Sequence, residues 1–253
     1  MIDASSQDRF RAILALMAAI GTVVFNVLAA TGYVNGVTPK AISAKYETIM
    51  TPASYAFSIW TLIYLGVLGF SVYQLLPRNV GRFRSTRTIF IASCVLNCAW
   101  IFFWHQERVG VCLVIIFALA AILGLVTYQL TPAAGFGEAM VTSATFGLYF
   151  GWISCALLVN LMVWMQYPAG LITESSAVVV TIVLISAAAI LAIAERIILK
   201  NFLFPLAVAW ALAAIAIKQS GNTPIVVAAV VGSLAAMITS GTVVTRLRDS
   251  TSE

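Results

Sequence analysis

Val109-Gly-Val-Cys-Leu-Val-Ile-Ile-Phe-Ala-Leu-Ala-Ala-Ile-Leu-Gly-Leu-Val-Thr-Tyr-Gln-Leu130 decides how the rest of the chain is read. The stretch carries no charge and is long enough to cross a bilayer, which takes about 20 apolar residues in a helix. A membrane β-strand would alternate apolar and polar residues; this run is continuous. In lipid every backbone N–H and C=O must be satisfied internally, so the run is a helix. Working outward, seven more runs of the same kind follow: Ala12–Thr31, Ser54–Leu76, Thr88–Trp104, Ala139–Met165, Ala177–Ala194, Phe202–Ile217 and Pro224–Val244. The expected fold is therefore an all-α integral membrane protein with about eight transmembrane helices. Composition agrees. Of 253 residues, 62% are hydrophobic and 9% charged, with a mean hydropathy of +1.02. A soluble domain carries roughly a quarter charged residues, so lipid must be the solvent for much of this surface.

The connections are punctuated by Pro77, by Thr131-Pro132 and Gly135, by Pro168 and Gly170, and by Gly221 to Pro224. The first run follows Arg9 and Arg11; it is long for a signal peptide and lacks a cleavage site, so it is kept as a span. The longest connection runs from Gly32 to Ala53. There Thr38-Pro39 reads as an N-cap with proline at the first helical position, opening a short surface helix through Tyr46. Such a connection suits an ordinary loop or a lid over a cavity.

The formal charge is +5, and the basic residues stand in the connections, which marks membrane topology rather than a nucleic-acid surface. With eight spans, one side collects Arg9, Arg11, Arg78, Arg82, Arg84, Arg87, Arg196, Lys200, Arg246 and Arg248. The other collects Lys40, Lys45, Arg108 and Lys218. The bias puts both termini in the cytoplasm. No ionisable side chain falls mid-span, which disfavours a pump or an ion-coupled transporter. Cys94, Cys98, Cys112 and Cys155 lie in apolar runs and read as small packing residues. His105 is the only histidine, so a multi-histidine metal site is excluded. No phosphate loop, nucleophile–base pair or paired carboxylates stand out, so binding is expected before catalysis. Ala228, Gly232, Ala236 and Ser240 repeat every fourth residue, a spacing that permits close helix packing within the chain or at a homodimer face.

Within the spans, aromatics and amides carry the specific signal. Trp60 and Tyr64 share a face of the second span. Asn97, Trp100 and Trp104 follow helical steps on the third, and Tyr149, Trp152, Ala156 and Asn160 fall in a narrow arc on the fifth. An amide facing lipid would lose its hydrogen bonds, so these faces should point inward. They can line an apolar pocket for a flat hydrophobic ligand, or serve as interhelical glue and interfacial belts. Trp104 and Trp164, at span ends, read as belt anchors.

The stretch Tyr149-Phe150-Gly151-Trp152-Ile153-Ser154-Cys155-Ala156, ending at Asn160, resembles the fifth-helix signature Pro-Tyr-x-x-Trp-x-x-Phe-Ala-x-x-x-Asn of the TspO/MBR family of translocator and tryptophan-rich sensory proteins. Leu148 stands in place of the proline and Cys155 in place of the phenylalanine. Asn97-Cys98-Ala99-Trp100 with Phe102-Phe103 is similar to the third-helix motif, and Pro52 to Phe57 followed by Trp60-Thr61-Leu62-Ile63-Tyr64 to the second-helix motif. The resemblance covers about the first 165 residues. It implies a five-helix bundle over 1–168 and a three-helix extension over 169–253, where Pro205 to Ala211 is reminiscent of the longer family form. It also implies a multi-pass membrane protein that binds a porphyrin or other tetrapyrrole, haem included, for sensing or transport. The implied ligand-binding residues are Phe57, Trp60, Tyr64, Asn97, Trp100, Tyr149, Trp152 and Asn160. The alternatives are a small-solute transporter or channel, and an enzyme degrading porphyrin through tryptophan photochemistry. Expected partners are membrane lipid, a hydrophobic small molecule and a second copy of the chain.

Overall fold

The computed structural model describes residues 6–131 and 133–249. Pro132 lies outside the described residues, as do the side chains of Arg246 and Arg248. The regular elements among the described residues are all helices: α1 (Ser6–Ala30), α2 (Pro39–Lys45), a 3-10 turn (Ser54–Ser58), α3 (Ile59–Tyr73), α4 (Arg84–His105), α5 (Val109–Leu130), α6 (Phe136–Ala139), a π segment (Met140–Ala144), α7 (Thr145–Gln166), α8 (Glu174–Ile198), α9 (Leu203–Lys218) and α10 (Thr223–Asp249). Among the described residues, seven helical stretches are long and apolar enough to cross a membrane, α6 to α7 counting as one. The eighth expected span, α9, has only 16 residues, about 24 Å at 1.5 Å per residue against a core of about 30 Å.

Helix ends differ from the apolar runs in a consistent way. α4 starts at Arg84 rather than Thr88, and α8 spans Glu174–Ile198 rather than Ala177–Ala194. Hydropathy registers the lipid-bathed part alone, whereas the hydrogen-bonded backbone continues into the headgroup zone. The second run divides: Ser54–Ser58 forms a 3-10 turn, and α3 stops at Tyr73, whose carbonyl accepts a 2.9 Å bond from the Asn79 side chain. The short helix α2 forms where Thr38-Pro39 predicts it, with Thr38 Oγ1 accepting from the Ala41 N–H at 3.2 Å. At the other connection, Thr173 and Ser176 exchange bonds in a capping box that opens α8.

The chain packs as two compact units: α1, α2 and the stretch from Ile59 to Phe146 form the first, and Tyr46–Ser58 with the chain from Gly147 onward forms the second. In the first unit, Phe70 is met edge-to-face by Phe83, Phe90 and Phe146, with ring centroids 5.7, 5.3 and 5.0 Å away. Gly66 lets α3 approach Thr145, because a Cβ there would come within 2.6 Å of the threonine side chain. The π segment lies beside this contact, and Thr145 Oγ1 donates back five residues to the Met140 carbonyl. One end of this unit is rich in arginine: Arg84 forks onto Asp8, Arg82 forks onto Glu138, and Arg11 reaches Thr88. Hydrogen bonding to Glu138 raises the Arg82 pKa further, so that fork stays charged. The opposite end is tied by Lys45 to Glu107 and by the Asn35 amide donating to the His105 carbonyl.

In the second unit α9 is the central element. Apolar on every face, it buries Phe204, Ala207, Val208, Ala211, Leu212 and Ile215 among others, as a helix without a polar stripe should. The Asn201 side chain caps its start, accepting from the N–H groups of Leu203 and Phe204. Two glycines one turn apart on α7 admit it. A Cβ on Gly151 would lie 2.6 Å from the Phe204 carbonyl oxygen, and one on Gly147 would strike Asn201. The Gly232 and Ala236 stripe of α10 is used here as well. Gly232 lies against Leu212, while Ser233 and Ser240 donate to the carbonyls of Ala209 and Phe202 at 3.0 and 2.7 Å. That stripe therefore serves packing inside the chain.

Candidate functional site

The eight residues singled out from the sequence divide between the two units, and each group has its own geometry. Trp60, Tyr64, Asn97 and Trp100 belong to the first unit; Phe57, Tyr149, Trp152 and Asn160 belong to the second.

On α3, one turn separates Trp60 from Tyr64, and the rings lie nearly parallel, 5.2 Å between centroids at 21°. Both are half-buried. On α4, Asn97 is 2% exposed, pointing inward as the cost of stranding an amide in lipid requires. Its Oδ1 accepts a 2.7 Å bond from Asn26 Nδ2 on α1, and the same Nδ2 also donates to the Thr22 carbonyl at 2.9 Å. Asn26 was not among the expected site residues. Its signal was available: a lone amide inside the apolar run Ala12–Thr31. Trp100 stacks on Trp104 at 5.5 Å and 13°.

Trp104 corrects the expectation of a belt anchor. It is 4% exposed and its indole N–H points at the Pro39 carbonyl, 3.5 Å away. The connection that carries α2 shields it from the lipid interface. Beside it, His105 is buried with Nδ1 2.7 Å from the Ile101 carbonyl. A carbonyl only accepts, so Nδ1 donates here; Nε2 meets no hydrogen-bond partner among the described residues.

In the second unit, Phe57 lies in the 3-10 turn, 37% exposed, and meets the buried Trp152 ring edge-on at 5.9 Å and 83°. Tyr149 and Asn160 are buried on the same helix, and Asn160 Nδ2 donates to the Ala156 carbonyl at 2.9 Å. The turn itself is held by α9: Trp210 packs edge-on against Tyr55 at 5.3 Å and donates to the Ala56 carbonyl at 3.0 Å, and the Ala53 N–H donates to the Ala214 carbonyl. Nothing in the local sequence ties Trp210 to Phe57; their relation is a product of packing.

These groups supply π faces, indole and phenol donors, and amides. Among the described residues no group of three or more His, Cys, Asp or Glu could hold a metal ion, and the four cysteines are free thiols.

A family model described as TSPO-like protein matches residues 12–243. The chain belongs to this family. It is accordingly a multi-pass integral membrane protein, with all-helical architecture and apolar helices of spanning length. The TSPO-like match enters in α1 and runs into α10, so the likeness first traced over about 165 residues continues through α8 and α9. No curated protein and no solved structure matches the chain.

Proposed function

We propose that this TSPO-like protein binds a flat hydrophobic ligand of the tetrapyrrole class, porphyrin or haem, for sensing or transport. The observation that carries the reading is the Trp60–Tyr64 pair. Two near-parallel rings, half-buried on an apolar helix, offer a face on which a planar macrocycle can stack. Trp100 and the buried Asn97 amide accompany them in the first unit. Phe57, Tyr149, Trp152 and Asn160 form a second candidate group, tested by itself. No paired acid–base groups stand with either set, which favours binding over hydrolytic chemistry.

The test is titration of the purified protein with protoporphyrin and with haem, followed by tryptophan quenching. Trp60→Ala is expected to weaken binding by about 1 kcal/mol, some five-fold, the scale of one aromatic contact. Trp152→Ala reports on the second group. Unchanged affinity in the Trp60→Ala, Trp152→Ala double variant would sink the reading. Uptake measured in proteoliposomes separates transport from sensing, since a sensor gives no flux. We also propose that α9 crosses as the eighth span, which puts both termini in the cytoplasm on the ten-to-four bias of basic residues that an eight-span count gives.

A further inference from the structure

The arginine-rich end of the first unit holds more positive charge than its own carboxylates neutralise. Among the described residues it collects Arg9, Arg11, Arg78, Arg82, Arg84 and Arg87 against Asp8 and Glu138. Both carboxylates are already engaged. Asp8 takes the Arg84 fork at 2.7 and 2.5 Å. Glu138 takes the Arg82 fork at 2.7 and 2.6 Å, the Tyr73 hydroxyl at 2.9 Å and the Ala134 N–H at 3.2 Å. Arg87 is 1% exposed, yet its hydrogen-bond partners are the uncharged Gln74 side chain and Val80 carbonyl, both at 2.5 Å, and its Nη1 has no hydrogen-bond partner among the described residues. Asp8 is the one carboxylate that acts on it, and that carboxylate is shared with Arg84, so the end keeps a net positive field that a low-dielectric surround screens poorly.

That field has an opening. A cleft of about 540 Å³ is lined by Tyr73, Arg78, Asn79, Arg82, Gly135 and Glu138, among others. Arg87 does not line the cleft; it holds Gln74 and Val80, the chain neighbours of the lining residues Tyr73 and Asn79. Arg78 is exposed and has no carboxylate partner among the described residues. Glu138 contributes a negative group to the lining, but the Arg82 fork balances it, so Arg78 sets the net sign. Ala134, Gly135 and Gly137 complete the lining. A Cβ on Gly135 or Gly137 would meet nothing within 4 Å, so a ligand can approach that backbone closely. Exposed Val72, Leu76 and Phe136 stand within two chain positions of the lining residues Tyr73, Arg78 and Gly135, so apolar surface accompanies the polar cleft, as suits an amphiphile with its head in the cleft and its chains in the bilayer.

We propose that this cleft binds the phosphate of an anionic phospholipid headgroup, with Arg78 as the cation that meets it. The site is distinct from the aromatic groups and does not depend on their ligand.

Native mass spectrometry of the full-length protein released from detergent tests it, using dioctanoyl phosphatidylglycerol, dioctanoyl phosphatidylcholine and inorganic phosphate as probes. Phosphatidylglycerol is expected to be retained in preference to phosphatidylcholine. Arg78→Gln should reduce that retention about five-fold, the effect of one basic residue near a membrane surface, while Arg78→Lys keeps most of it. Arg9→Gln removes an exposed cation that does not line the cleft and should leave retention intact. Equal retention of the two lipids, or equal losses in Arg78→Gln and Arg9→Gln, would overturn the proposal. Displacement of the lipid by an equal concentration of inorganic phosphate would make the cleft a free-phosphate site and overturn the lipid assignment.

Discussion

Asn97 shows what keeps a polar side chain inside a helix that lipid surrounds. Its amide is satisfied by a second amide, Asn26, on a neighbouring helix. That inward orientation was legible in the sequence, because an amide turned to lipid would forfeit its bonds. The partner was not, because the pairing spans 71 positions and depends on how α1 lies against α4. Asn97→Ala is expected to destabilise the protein by about 1 kcal/mol, the usual worth of an interhelical polar contact in a membrane. Asn26 keeps its bond to the Thr22 carbonyl, so a larger loss is not expected. Unfolding equilibria in mixed micelles measure this, and an unchanged midpoint would show that the pair is dispensable. Trp104 makes the opposite point. A tryptophan at a span end reads as an interfacial anchor, and only the fold of the preceding connection reveals that Pro39 covers it.

At the scale of elements, the least conspicuous span is largely buried by its neighbours. α9 is too short to promise a crossing by itself, yet its sides are buried against α8 and α10, and the α7 glycines let its start come close. Gly151→Ala is expected to cost about 1–3 kcal/mol, the range for overpacking a tight interior, since the added Cβ would crowd the Phe204 carbonyl. Gly69→Ala on α3 provides the contrast. A Cβ there meets nothing within 4 Å, so the better helix propensity of alanine should leave the protein unchanged or up to about 1 kcal/mol more stable. Thermal unfolding of the two variants in one detergent checks the pair; equal behaviour would contradict the close α7–α9 approach. The four-residue repeat on α10 was visible in the sequence, but a repeat alone does not say which helix answers it. Gly232 against Leu212 supplies the answer within the chain.

At the scale of the whole molecule, charge sets the expected orientation. Within the first unit, Arg11, Arg82, Arg84 and Arg87 gather at one end, and Lys45, Glu107, Asn35 and His105 at the other, as a chain that alternates direction through a bilayer requires. With both termini cytoplasmic, a membrane-impermeant thiol reagent is expected to label Lys40→Cys in intact cells, and Arg9→Cys only after permeabilisation. Both sites are exposed, and the reverse pattern would invert the topology. The five-fold loss expected of Arg78→Gln also belongs to this scale, because the surplus it probes is a property of one end of a unit rather than of any single side chain.

The amino-acid sequence by itself determined the solvent, the helical class, the span ends to within about two turns, and the motifs by which the family resemblance was drawn. Those follow from local quantities: apolar length, the need to satisfy every backbone group in lipid, and residues spaced along one helix. The tertiary structure alone decided that α9 is enclosed by protein, that Asn26 answers Asn97, that Trp210 holds the turn bearing Phe57, and that the candidate residues fall into two groups. Each of these depends on which helix lies beside which. In lipid that choice is made by small residues, ring edges and single hydrogen bonds, each worth about 1 kcal/mol, and their partners are far apart in sequence.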